Sequence, residues 1–274
     1  MRYEQMPKSN LHTHTTFCDG AHSAEENVLS AIQMGMDTLG FSGHSAVFFA
    51  DYAMSHEGTE EYRKEILRLR QVYGDRLNIL LGIEQDYYAD MPAEGFEYII
   101  GSVHHLFIDG EYYAVDENRE EFVSCAQKCF GGDYYRFAKA YYELVAQVLD
   151  KTKGDIVGHF DLFSKFNEGG IYFDENDPRY LHPAMEALDA LLERDTVFEV
   201  NTGAISRGYR KTPYPATPFL RRIAEKRGRV TLNADSHHKD WLLTSYPEAL
   251  ALMRASGLGS VLVMTREGWK NCPL

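Results

Sequence analysis

The sequence predicts an α/β fold in which parallel strands close into a TIM-like barrel. Strand-like and helix-like stretches alternate along most of the 274 residues, which implies parallel strands joined by crossover helices. The alternation makes seven or eight units, enough to favour closure over an open sheet. A doubly wound sheet is the alternative architecture. No Gly-x-Gly-x-x-Gly follows the first strand, however, and neither a P-loop nor a Gly-x-Ser-x-Gly occurs.

The first strand is short and lies around Leu11, and Ser23 with Glu26 forms a capping box that opens a helix running towards Gly35. After a strand at 38–42, Thr59 precedes an apolar-periodic helix that ends at Gly74. Strands at 78–83 and 98–103 come next. Residues 111–132, acidic at first and closing on Gly131-Gly132, read as an insertion beside the barrel or a lid. Asp133 is placed to cap a long helix in which Phe137, Tyr141, Leu144, Val145 and Val148 recur at helical spacing. Strands at 155–158, 196–200 and 230–233 then alternate with a helix near 182–194 and another from Thr217-Pro218 to Gly228. A helix over 246–256 and a weaker strand at 260–264 complete the pattern. No linker, composition break or repeat divides the chain, so residues 1–274 are expected to form one domain.

With 41 acidic against 28 basic residues the net charge is −13, a field that repels nucleic-acid backbones and anionic membrane surfaces. An anionic substrate must then meet locally concentrated positive charge, which is a first pointer to metal. No apolar run is long enough to span a membrane, and residues 1–10 are too polar for a signal peptide, so the expected location is cytoplasmic. Cys18, Cys125, Cys129 and Cys272 form no CxxC pair, which argues against a thiolate zinc site or a cystine framework; Cys125 and Cys129, one helical turn apart, read as small core residues.

The chemistry lies in what ends each apolar run. His12-Thr13-His14 ends the first, His44 the second, Glu84 the third, His104-His105 the fourth, His159 the fifth, Glu199 and Asn201 the sixth, and Asp235-Ser236-His237 the seventh. In a parallel barrel all these ends lie on one face, so one mouth gathers at least six histidines and two carboxylates. Alternate residues of a strand share a face, so His12 and His14, and again Asp235 and His237, can reach one cation. Imidazole and carboxylate donors without thiolate suit zinc, iron or manganese. Any single histidine here could be an ordinary core residue, but the whole set buried without metal would leave many polar groups unsatisfied. His22, His56, His182 and His238 do not end strands in this way and read as solvated or supporting residues. Asp19-Gly20 is, on its own, a common turn pair.

These motifs resemble the PHP (polymerase and histidinol phosphatase) metal-dependent phosphoesterases over nearly the whole chain. The marks are His12-Thr13-His14 followed by Asp19-Gly20, Gly43-His44, Gly82-Ile83-Glu84, Ile100-Gly101-Ser102-Val103-His104, Gly158-His159-Phe160-Asp161 and Asn233-Ala234-Asp235-Ser236-His237. Met54-Ser55 and Glu61-Tyr62 resemble the monofunctional histidinol-phosphatase branch. The resemblance implies a distorted (β/α)7 barrel with two to three divalent transition-metal ions (zinc, iron or manganese) at the carboxyl ends of its strands. It assigns His12, His14, Glu84 and Asp235 to the first ion, Glu84, His104 and His159 to the second, and Asp19, His44 and His237 to the third. The implied activity is hydrolysis of L-histidinol phosphate, a step of histidine biosynthesis.

Adjacent ions of this kind acidify a shared water, from a pKa of 15.7 to about 7, for attack on phosphorus. Asp161, close to His159, is the expected proton donor to the leaving alkoxide, although a helix N-cap role fits it equally. Arg207 is the expected phosphate partner, with Lys165 and Arg210 as rivals. For the imidazole and ammonium of the substrate, Tyr87, Tyr88, Asp86 and Glu57 are on offer. The expected partner is a small phosphate monoester, with no nucleic acid and no membrane; oligomeric state is not legible. Three other readings stand beside this one: a PHP-type phosphoesterase acting on nucleotides or other phosphate esters, a non-catalytic metal-bound module of the kind found in replicative polymerases, and a metal-dependent amidohydrolase.

Overall fold

The computed structural model describes residues 3–274; Met1 and Arg2, the beginning of the polar start, lie outside the described residues. In chain order the elements are β1 (Ser9–Asn10), α1 (Ala24–Gln33), β2 (Thr38–Phe41), α2 (His56–Tyr73), β3 (Asn78–Asp86), β4 (Tyr98–Ser102), β5 (His105–Ile108), β6 (Glu111–Ala114), α3 (Arg119–Phe130), α4 (Tyr134–Val145) and α5 (Val148–Thr152). They continue with β7 (Ile156–Val157), α6 (Pro178–Leu192), β8 (Val197–Asn201), α7 (Gly203–Ser206), α8 (Thr217–Glu225), β9 (Arg229–Asn233), α9 (Tyr246–Ala255), β10 (Ser260–Thr265) and β11 (Gly268–Pro273).

Nine strands make one curled sheet in the order β1-β2-β3-β4-β7-β8-β9-β10-β11. Every pairing is parallel except the last, β10 with β11. The curl brings β1 back to β9. There the His14 amide donates to the Ser236 carbonyl and the Ser236 amide to the His12 carbonyl, each at 2.9 Å. Below that bridge two buried asparagines stand in for the ladder: Asn233 Oδ1 accepts from the Leu11 amide and Asn10 Oδ1 from the Ala234 amide, both at 2.9 Å. The TIM-like α/β barrel read from the alternation is therefore the fold, stitched at its seam by side chains as well as backbone.

Tyr98 fills the interior and donates its hydroxyl to the Leu11 carbonyl at 2.6 Å and the Phe41 carbonyl at 2.9 Å. Gly40 and Gly82 make the room. A Cβ on Gly40 would lie 2.3 Å from the Tyr98 hydroxyl and one on Gly82 2.2 Å from its ring. Outside the sheet, one apolar layer packs α1 and α2 on β2 and β3, and a larger one covers the other strands with α3–α6, α8 and α9.

The Ser23 capping box closes both ways, as read. The second helix begins earlier than Thr59: Ser55 is its cap, with Oγ accepting from the Gly58 amide at 2.9 Å. Asp133 does cap α4, but the helix stops at Val145, and Gln147 folds its side chain back onto the Glu143 carbonyl before α5 starts. The helix read near 182–194 starts at Pro178, with Asp177 accepting from the Arg179 amide. Residues 105–114 form an antiparallel hairpin and 119–130 a helix that ends on Gly131 in the left-handed region, at φ 64°. The closing strand β11 carried no apolar alternation and was not expected.

Candidate metal centre

His12 and His14 flank Thr13, whose bridge to Ser236 sets both imidazoles on the same side. Glu84 lies within the buried run of β3 and is bridged in parallel to His44. His104 follows β4, His159 follows β7 and Asp235 follows β9. Asp235 takes a left-handed backbone, φ 46°, which a short polar side chain tolerates. Gly203 accommodates it, since a Cβ there would come 2.8 Å from Asp235.

Four atoms from the first implied set converge. His12 Nε2 lies 3.2 Å from Glu84 Oε2 and 3.7 Å from Asp235 Oδ1; His14 Nε2 lies 3.6 Å and 3.3 Å from the same oxygens. Donors bound tetrahedrally at the usual 2.0–2.1 Å are about 3.4 Å apart, so these atoms surround a point at which a cation would fit. His12 Nε2, His14 Nε2 and Glu84 Oε2 are buried and without hydrogen-bond partners, which a structural polar network would not leave. The other Glu84 oxygen lies 2.8 Å from His159 Nε2 and 3.3 Å from His104 Nε2. Asp19 faces His237 Nε2 at 3.1 Å and His44 Nε2 at 3.6 Å, while His44 Nδ1 is 2.9 Å from Glu84. His44 thus faces two of the three groups rather than the third alone.

Supporting partners fix the rings. His12 Nδ1 donates to Glu199 at 2.7 Å, and His104 Nδ1 to Asp86 at 2.9 Å. Ser102 donates to Glu84 at 2.7 Å. Burial, together with neighbouring His237 and His44, lowers the His14 pKa to about 3, which leaves the neutral ring that a cation requires. Burial alone would push Glu84 upward, yet His12, His44 and His104 hold it well below the ordinary carboxylate range.

A cavity of about 410 Å³ opens above this cluster. Asp19, His44, Glu84, His104, His159, Asp235 and His237 line it, with Arg207 and Lys165 beside them. Phe49, Tyr52 and Leu162 also line it, together with Asp51, Asp116, Glu117 and Glu121; the Tyr52 ring lies 4.7 Å from that of His44. Arg207 Nη2 donates to Asp235 Oδ2 at 2.9 Å, and Lys165 Nζ to Asp116 Oδ2 at 3.0 Å.

Some expected roles are not met. Asp161 does not line the cavity: it is buried behind it, its Oδ2 accepting from the Ala216 amide at 3.0 Å, and it caps no helix with its side chain. Burial raises its pKa to about 7. Arg210 is held by Glu175 at 2.7 and 3.0 Å and does not line the cavity. Asp86 turns to His104, Tyr88 accepts from the Phe107 amide, and neither Tyr87 nor Glu57 lines the cavity. His105 turns from the cluster towards Tyr52, whose ring lies parallel to it at 6.1 Å. His56 and His182 are exposed, and His22 packs against His238. The reading from strand ends could not find Asp51, Tyr52, Asp116 and Glu117, which stand on loops between elements, or Glu121, which is in the first turn of α3.

Residues 10–203 match the PHP domain model. Relatives from Schizosaccharomyces pombe and Deinococcus radiodurans, each named a probable histidinol-phosphatase, are 26% and 29% identical. The first alignment covers 95% of this chain and 90% of the relative, the second 90% and 92%. A crystal structure of histidinol phosphate phosphatase from Lactococcus lactis, complexed with zinc, L-histidinol and phosphate, superposes with a TM-score of 0.69 at 21% identity, covering 96% of this chain and 98% of that one. The strand-end histidines and carboxylates fall on the matched segment up to Asn201 and continue just after β9, so motif and fold agree with the match that this chain belongs to the PHP domain family.

Proposed function

We propose that the protein is a metal-dependent phosphomonoesterase that hydrolyses L-histidinol phosphate to L-histidinol and phosphate. The observation that carries this is one cavity whose lining combines the donor cluster, Arg207 and Lys165 with aromatic and acidic side chains. His12, His14, Glu84 and Asp235 would hold one ion, Glu84, His104 and His159 a second, and Asp19, His44 and His237 a third. Zinc, iron or manganese suits these donors. When bound, such ions acidify water and neutralise phosphoryl oxygens.

The chain's own groups do the rest. Arg207, oriented by Asp235, and Lys165, oriented by Asp116, grip the phosphate from two sides. The rest of the lining suits the remainder of the substrate: Phe49 and Tyr52 offer aromatic contact to an imidazole, and Asp51, Glu117 and Glu121 offer charge to an ammonium. Binding these remote ends orients the ester. With Asp161 outside the cavity, the leaving alkoxide takes its proton from water admitted to the site. Residues 1–274 act as one unit, with segment 111–132 supplying Glu117 and Glu121 to the rim. The relatives' names support this substrate, and four free cysteines fit a reducing, cytoplasmic compartment. Among the described residues no helix is long and apolar enough to cross a membrane.

The test is a substrate panel with the zinc-, iron- and manganese-reconstituted protein. L-Histidinol phosphate is expected at kcat/KM of ~10⁴–10⁶ M⁻¹s⁻¹, well above aryl and sugar phosphates. Equal turnover of nucleoside monophosphates or 3′,5′-bisphosphates would replace this reading with that of a general phosphoesterase.

A further inference from the structure

Glu199 lies on β8, fully buried, and is in none of the three implied ion sets. Its two oxygens nevertheless touch residues of two of them. Oε1 accepts from His12 Nδ1 at 2.7 Å and from Asn233 Nδ2 at 2.9 Å. Oε2 accepts from the His159 backbone amide at 2.9 Å and from Asn201 Nδ2 at 2.9 Å. Asn201 in turn reaches Asp235 Oδ2 at 3.3 Å. One carboxylate therefore fixes the ring of His12, the backbone that aims His159 and, through Asn201, the side chain of Asp235.

We propose that Glu199 is a positioning residue that couples the first and second ion positions, so that each forms at full affinity only while this carboxylate holds both. The inference rests on the reading of the cluster as a metal centre. A hydrogen bond from a ligating imidazole to a carboxylate orients the ring and raises its basicity. Most such carboxylates serve one ligand; Asp86, on His104 alone, is the internal comparison. Glu199 cannot release His12 without also freeing the loop that begins at His159, because β8 pairs in register with β7 and β9 and fixes its backbone.

The test is zinc binding to metal-stripped protein, read by competition with a chromophoric chelator and independent of any substrate. Glu199→Gln is expected to weaken both of the two tightest steps by roughly 10- to 100-fold, whereas Asp86→Asn weakens one. A Glu199→Gln protein that binds zinc like the parent, or loses affinity in a single step, overturns the coupling while leaving the metal-centre reading intact. A parent protein that binds no zinc, iron or manganese overturns both. Should Glu199→Gln fail to fold, Glu199→Asp decides. Its shorter side chain on the same fixed strand cannot reach both His12 and the His159 amide, so both steps should weaken, and a loss confined to one step, or none, would refute the proposal.

Discussion

Arg207 and Asp235 are joined so that one carboxylate serves both the guanidinium and the donor cluster: Oδ2 accepts from the guanidinium at 2.9 Å while Oδ1 lies 3.3 Å from His14 Nε2. The pairing sets the angle of the guanidinium before any phosphate arrives. An ammonium at this position would keep the charge but lose the fork that can bond the carboxylate and a phosphoryl oxygen together. Arg207→Lys is therefore expected to lower kcat/KM by about 10- to 100-fold, and Arg207→Ala further, with metal content unchanged. Steady-state rates alongside elemental analysis check it; a loss of metal that parallels the loss of rate would place Arg207 in the support of the cluster rather than on phosphate.

Glu84 stands at the centre of the cluster, touching His12, His14 and His44 through one oxygen and His104 and His159 through the other. Glu84→Ala should abolish turnover by orders of magnitude and remove more than one ion per chain, because no neighbouring acid can reach both sides. His182→Ala, on an exposed position of α6, should leave both within a factor of about two, as surface substitutions generally do. Similar mild effects from the two variants would mean that the convergence of donors is incidental.

The strand-end residues were legible because a parallel barrel converts sequence position into place: His12, His44, Glu84, His104, His159 and Asp235 each follow an apolar run, and the fold gathers them. The aromatic and acidic part of the lining was not. Asp51, Tyr52, Glu117 and Glu121 sit on loops and a helix start, where neither period 2 nor period 3.6 marks a side chain as facing inward. Asp161 failed for a related reason. Two positions beyond His159 the backbone has left the strand for a short turn at Leu162–Ser164, so alternation no longer predicts direction, and its carboxyl points behind the cavity to Ala216. Helix ends with Asp or Ser caps were readable, but Val148 continued an apolar rhythm across a break that only tertiary packing decides.

Burial holds the Asp161 pKa at about 7 against an ordinary 3.8. Below pH 3.8 the carboxyl is protonated in both folded and unfolded chains. Between that value and about 7 the folded protein keeps a proton that the unfolded chain has released, so this group's contribution to stability falls as pH rises through the window. Asp161→Asn keeps the acceptor for the Ala216 amide and cannot ionise. The variant should gain on the parent from pH 5 to pH 8 by an amount on the order of a few kcal/mol at most, while kcat changes less than about tenfold. Denaturant midpoints at the two pH values decide it. A difference between variant and parent that is constant with pH would show that Asp161 is already ionised at its burial site, and a collapse of kcat would restore it to the chemistry.

Glu117 stands at the rim with Asp51, Asp116 and Glu121, and burial together with those three like charges raises its pKa above the ordinary glutamate value. Lys165 offsets only part of that repulsion. A cationic ligand relieves it, whereas a neutral aryl group does not, so the rim discriminates between substrates that the phosphate clamp would grip alike. An exposed pair of opposite charges contributes about 0.2–1 kcal/mol, a factor of roughly 1.4 to 5. Glu117→Gln alone should therefore lower kcat/KM for L-histidinol phosphate only a few-fold, and Asp51→Asn with Glu117→Gln by about tenfold. p-Nitrophenyl phosphate should be unaffected or turned over slightly better, since its dianion no longer meets two carboxylates at the entrance. The effect should sit in KM and shrink with added salt, because the charges are separated by solvent. Equal losses on both substrates would mean that these residues support the loop rather than read the ammonium, and the selectivity would then have to come from the aromatic faces of Phe49 and Tyr52.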